Sequence, residues 1–185
     1  MAKLIEIKLL IIMIKIINRK KILDIKKINN KKWMISHAQC PYLVKFPNFF
    51  RIYFSTREKK SKKGNFISYS AYADFDKKNF SILKVSKKPI ISLGSLGEFN
   101  EFGNMLGSVI KVKKKYLMYF CGWTRKETIP FDWAIGVAKS NNGSNFSKIF
   151  KSPIITSKKD NLFLNACPMV YKFKRRYLMY FLSGV

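Results

Sequence analysis

A chain of 185 residues, 48% hydrophobic and 15% aromatic, has enough apolar surface for a packed core, which excludes wholesale disorder. Its 37 Lys and Arg against 10 Asp and Glu leave a net charge of +27, a balance that raises the question of a polyanionic partner. Three cysteines, Cys40, Cys121 and Cys167, lie far apart in sequence without a CxxC pair, and the chain has one histidine. Neither a disulfide framework nor a zinc cluster is indicated, so a reduced, cytoplasmic protein without metal or other cofactor is expected.

Residues 1–32 hold ten basic and two acidic residues, about twice the charge density of the remainder. The apolar run 9–17 contains Lys15 and falls well short of the roughly 20 residues that span a bilayer, so no transmembrane helix is expected. Glu6 in the basic region and the lack of a small-residue cleavage site speak against a signal peptide.

From residue 33 onward the chain repeats itself. CPYLVKF at 40–46 leads to FRIYFS at 50–55, LGSVIKV at 106–112 to YLMYFCG at 116–122, and CPMVYKF at 167–173 to YLMYFLSG at 177–184. Each unit is an apolar run, a short basic turn and an aromatic run with period-two alternation, the pattern of a β-hairpin. Tyr53, Tyr119 and Tyr180 mark offsets of 66 and 61 residues and read as one core-packing stripe. The segments after the first two hairpins also repeat: 66–71 then 79–81, matched by 134–138 then 145–147, each closing on Pro-Ile-Ile at 89–91 and 153–155.

Four short strands per unit of about 60–65 residues, with no helical period, describe blades of a β-propeller, with a β-sandwich as the competing all-β arrangement. The expected organisation is a basic, apolar segment at 1–32 followed by an incomplete propeller at 33–185. Blade one spans about 38–92, blade two about 105–156, and a third begins at about 166–185. A ring of five such blades needs roughly 300 residues on this period, so the chain reads as an N-terminal fragment.

Trp33, Ser36 to Gln39, Arg51 to Arg57, Gly94 to Gly103, Tyr119 to Trp123, Ile135-Gly136 and Cys167-Pro168 through Ser183-Gly184 together resemble five-bladed glycosidase-like proteins, similar to arabinanase and fructosidase propellers. The resemblance implies a funnel at the starts of the inner strands, where carboxylates act as general acid and as nucleophile or base. It also implies an acidic residue beside the proline that opens each inner strand. This chain departs from that pattern, having Cys40-Pro41, Gly107-Ser108 and Cys167-Pro168 there.

The nearest substitutes are Glu98 and Glu101 in the loop before the second inner strand, together with His37. Glu101 and His37 are the candidate catalytic residues, with a solvated loop carboxylate and a hydrogen-bonded structural histidine as the plainer readings. Gln39, Arg57, Asn100 and Trp123 are candidate substrate-binding residues. Asn100 stands where the resemblance implies Asp. Arg57 has a planar fork suited to a carboxylate or phosphate, although a solvated turn beside Lys59 and Lys60 accounts for it equally well. Trp123 closes the matching strand of the next blade and offers a face to a sugar ring.

The function expected is that of a glycosidase-like carbohydrate-active protein with a carbohydrate or sugar nucleotide as partner, surface polysaccharide metabolism being the setting considered. A catalytically degenerate or truncated sugar-binding scaffold is the alternative, and a basic nucleic-acid-binding protein is a third. The basic residues cluster at expected turns (57–63, 113–115, 172–176), and Lys, Asn, Ile and Phe have AT-rich codons. Nonspecific polyanion binding is therefore expected, but no specific nucleic-acid or protein partner.

Overall fold

The computed structural model describes residues 19–28, 32–127, 129–159 and 164–184. The apolar run at 9–17 lies outside the described residues. No helix among the described residues is long and apolar enough to cross a membrane.

The aromatic and β-branched runs form strands where expected. Strands β1 (Ser36–Lys45), β2 (Phe50–Arg57), β3 (Ser68–Phe75) and β4 (Ile82–Val85) make one antiparallel group. A second consists of β5 (Gly103–Val112), β6 (Lys115–Thr124), β7 (Asp132–Ser140) and β8 (Ser147–Lys148). The hairpin β9 (Leu164–Phe173) and β10 (Arg176–Gly184) comes last. A single parallel bridge joins each group to the next, Ser68 to Gly103 and then Trp133 to Leu164. The first strand of each group packs beside the first strand of the next, β1 on β5 and β5 on β9. This is the all-β, propeller-like arrangement, in which like groups follow one another in chain order and each packs on the next.

The register confirms that the three hairpins are equivalent. Tyr42 faces Tyr53, Ser108 faces Tyr119, and Met169 faces Tyr180. Each first strand bulges just before that pair, at residues 40–41, 107 and 167–168. Cys40 and Cys167 both adopt a φ of 51°, a left-handed conformation that non-glycine residues adopt at a cost and that turns the strand toward its neighbours.

Equal register does not bring equal burial. Tyr53 is fully buried between the two four-stranded groups with Tyr72, Leu106, Met118, Phe120 and Phe146, Tyr119 is half-buried, and Tyr180 is 62% exposed. The single core stripe read from the sequence is thus corrected. A tyrosine at this position is buried only where the next group covers it, and among the described residues no further group covers Tyr180, whose ring stacks on Tyr171 alone. The Pro-Ile-Ile repeat behaves alike, with Ile90 buried and Ile154 exposed.

On the far side of the first group, Ile25 of the short helix α1 (Ile25–Ile28) packs with Met34, Phe54, Ala71, Ala73 and Phe75. Fully burying Phe54 or Phe75 contributes about 1.5–3 kcal/mol each.

Candidate functional site

Strand pairing decides which residues meet. Arg57 ends β2 opposite Ser36, and Trp123 sits near the end of β6 opposite Gly103, so the two occupy equivalent positions one repeat apart. Trp123 also faces Trp133 at the start of β7. These strand ends lie at the same end of the sheet as the starts of β1, β5 and β9. The basic hairpin tips at Lys113–Lys114 and Lys174–Arg175 are at the opposite end.

Between the strand ends is a cavity of about 220 Å³, walled by Arg57, Phe66, Met105, Trp123, Arg125 and Trp133. The Arg57 guanidinium carbon lies 5.0 Å from the Phe66 ring centre. Arg125 donates a 2.7 Å hydrogen bond to the Phe66 carbonyl and lies over the Phe102 ring at 4.0 Å. Trp123 is seated by Gly103: a Cβ there would stand 1.8 Å from the indole Nε1, so only glycine lets the ring lie flat on the strand. A larger groove, about 930 Å³, lies between α1 and the outer strand β4 and is lined mainly by lysine and aliphatic side chains, away from the inner strands.

His37 stands at the rim. Its ring meets Phe66 edge-on at 5.7 Å, and Nδ1 is 2.7 Å from the Ser36 hydroxyl. Partial burial, and next the positive charge of Arg57, hold its pKa below the usual value, which favours the neutral imidazole. Gln39 is half-buried opposite Ser55.

The loop before β5 reaches the same end, because the Ser68 amide donates to the Phe102 carbonyl and Phe102 meets Trp123. Within it Glu101 accepts the Gly97 amide at 3.0 Å. Asn100 is fully buried, donating to Asn104 and the Ser92 carbonyl and accepting from Lys148, so its side chain fixes the loop from inside. Glu98 pairs with Lys148, and that hydrogen bond is the main cause of its lowered pKa.

The structure therefore brings Arg57 and Trp123 into one wall with His37 at its edge, and keeps Asn100 inside the loop. Sequence reasoning missed Phe66, Arg125 and Trp133. The repeat offset that matches Arg57 to Trp123 pointed to this strand end, and Phe66 opens the repeated segment 66–71, but Arg125 lies in a connection that no repeat predicts.

The cysteines, far apart in sequence, converge beside the cavity. Buried Cys121 packs with Ala166, Met105 and Cys40, and its sulfur is 3.7 Å from the Asn165 carbonyl. All three are free thiols, and no group of three metal-ligating side chains is placed to hold an ion among the described residues. Burial raises the Cys121 thiol pKa well above its ordinary value and that of Cys40 to a lesser degree. Because the thiolate is the reactive form, native protein at pH 8 is expected to be alkylated first at exposed Cys167, more slowly at Cys40, and at Cys121 only on unfolding. The Cys40 rate should reach half its plateau only above about pH 8.5, the midpoint of an ordinary thiol. Peptide mass spectrometry over a time course checks this, and equal labelling of Cys121 and Cys167 in folded protein would contradict the packing.

No protein-family model matches the chain. Two uncharacterized proteins of Mycobacterium tuberculosis, from strains CDC 1551 and H37Rv, are 30% identical over 156 residues, 83% of this chain and 50% of each relative. The chain thus spans about half the length of the curated relatives it matches. Among solved structures, a protein from the GH130 family of mannoside phosphorylases and glycoside hydrolases superposes with a TM-score of 0.62 at 16% identity, over 80% of this chain and 44% of that one. A Bombyx mori GH32 β-fructofuranosidase gives 0.59 at 11% identity, over 80% and 30%. A glycosyl hydrolase from Bacteroides ovatus gives 0.52 at 16%, over 80% and 44%. The chain has the propeller-like fold of glycoside hydrolases.

Proposed function

We propose that this chain recognises carbohydrate through the cavity at its inner-strand ends, as part of a five-bladed, glycosidase-like propeller acting in the cytoplasm on a glycan or sugar nucleotide, in surface polysaccharide metabolism. The two four-stranded groups correspond to blades one and two and the β9–β10 hairpin to the opening of blade three. The observation that carries the reading is the placement of Arg57 and Trp123 at equivalent strand ends, with Trp133 and Phe66 completing an aromatic wall. Flat aromatic faces suit the C–H surface of a sugar ring, and convergent N–H donors suit its hydroxyls. Gln39 and Asn100 complete the proposed binding set, Gln39 from β1 and Asn100 by holding the loop.

Hydrolysis by paired carboxylates needs two acids roughly 5–10 Å apart. Among the described residues the cavity wall holds none. Glu101, whose loop adjoins the wall, and His37 at the rim are the proposed acid–base groups of a hydrolytic reading, and sugar binding without turnover is the reading favoured for this chain.

The test is a panel of aryl arabinosides, fructosides and mannosides with the native chain and Glu101→Gln in parallel, alongside sugar titrations followed by tryptophan fluorescence. Binding without turnover above background is expected. Turnover comparable with that of working glycosidases, on the order of 1–1000 per second, overturns the binding-only reading. Its loss in Glu101→Gln would then assign Glu101 to catalysis.

A further inference from the structure

The cavity has a charge pattern that neutral-sugar binding leaves unexplained. Three cationic groups surround one ring, the Arg57 guanidinium at 5.0 Å from the Phe66 centroid, the Lys60 ammonium at 5.6 Å and Arg125, which holds the Phe66 carbonyl at 2.7 Å, with the neutral His37 ring beside them at 5.7 Å. Among the described residues, no carboxylate lies within 4.0 Å of Arg57, Lys60 or Arg125. The ion pairs found are Lys21–Asp24, Arg51–Asp74, Lys126–Asp132 and Lys148–Glu98. The nearby acids are engaged elsewhere, Glu58 accepting the Tyr69 hydroxyl at 3.1 Å and Asp132 pairing with Lys126 at 3.3 Å.

Clustered like charges without counter-charges destabilise a folded chain, and two guanidiniums on one small cavity wall are best matched by a bound anion. At about 220 Å³ the cavity is below the roughly 300–1,000 Å³ of drug-sized pockets, so it admits one sugar-sized group. The indoles of Trp123 and Trp133 supply the flat surface and the arginines the bidentate donors.

We infer that the cavity between Arg57, Arg125, Trp123 and Trp133 selects a sugar unit bearing an oxyanion, either a carboxylate or a phosphate ester. The inference rests on the carbohydrate reading and narrows it to acidic sugars. The ring lies against the indoles and the oxyanion meets the arginine forks. Charge-assisted hydrogen bonds are about twice as strong as neutral ones, and their net worth corresponds to about a ten- to hundred-fold preference over the uncharged sugar.

The experiment titrates the full 185-residue chain with glucuronate, glucose 6-phosphate, glucose and inorganic phosphate by calorimetry, at low and at 0.5 M salt. The expected result is that glucuronate or glucose 6-phosphate binds at least ten-fold more tightly than glucose and than inorganic phosphate. The relative strength of the two acidic sugars identifies the oxyanion. Arg125→Gln should remove most of that preference by weakening the acidic sugars more than glucose, and Arg125→Lys should restore part of it. Arg125 is half-buried at the strand end, so its variants are checked for native circular dichroism and an unchanged urea midpoint, with Lys60→Gln as a second, exposed variant expected to weaken the acidic sugars alone. Equal affinity for glucose and the acidic sugars overturns the inference and leaves the carbohydrate reading standing. Inorganic phosphate binding as tightly as glucose 6-phosphate, with no glucuronate binding, overturns the inference as an adventitious anion site. Binding of none of the four overturns both readings.

Discussion

Replacing Asp74 with alanine is expected to destabilise the fold by about 3–5 kcal/mol, the cost of leaving a buried charge without its partner. Arg51 on β2 and Asp74 on β3 face each other directly in the register, and both side chains are more than nine-tenths buried. The guanidinium meets the carboxylate through two bonds of 2.6 and 2.7 Å. Its remaining nitrogen donates to the Gly143 carbonyl at 2.9 Å and the Ser144 hydroxyl at 2.7 Å, in the loop after β7. The Tyr72 ring lies 3.7 Å from the guanidinium carbon, and the Tyr53 hydroxyl also reaches Gly143. This one cation therefore ties the first four-stranded group to the second. The paired replacement Arg51→Met with Asp74→Leu should cost less than Asp74→Ala alone, since no buried charge remains. Urea denaturation followed by tryptophan fluorescence measures both, and an Asp74→Ala cost below about 1 kcal/mol, the value of an exposed pair, would show that the pair is solvated in solution.

Gly103→Ala should cost about 1–3 kcal/mol, the range for overpacking a filled site, and should impair sugar binding by more than that loss explains. The added methyl collides with the Trp123 indole, which must leave its seat at the start of β5. The parallel bridge from Gly103 to Ser68 is the only described backbone pairing between β3 and β5, so the strand cannot retreat freely. The expected readout is a shifted tryptophan emission spectrum with retained β-sheet circular dichroism and weaker binding in the fluorescence titration. An unchanged spectrum and unchanged binding would mean that Trp123 does not form the wall of the site.

Period-two alternation and the offsets of 66 and 61 residues were enough to place β1, β2, β5, β6, β9 and β10, to align Tyr53, Tyr119 and Tyr180 in register, and to match Arg57 to Trp123 in the repeat. These features are local: a strand's pattern fixes which side chains share a face, and a hairpin turn fixes the register between two runs. What covers a face is not local. Tyr53 is buried because the Gly143 loop, 90 residues on, closes over it, and Tyr180 in the same register has no such cover among the described residues. Arg51 read as one residue of an aromatic run, yet its charge is buried because Asp74, Gly143 and Ser144 converge on it. Cys40 and Cys167 hold the same place in the repeat, and Cys121 on β6 meets them only because β1 and β9 pack beside β5, where Met105 pairs with Cys121. Phe66 opens a repeated segment, but Arg125 reaches it through a hydrogen bond spanning 59 residues, a meeting set by the packing of neighbouring strands and not by any period in the sequence.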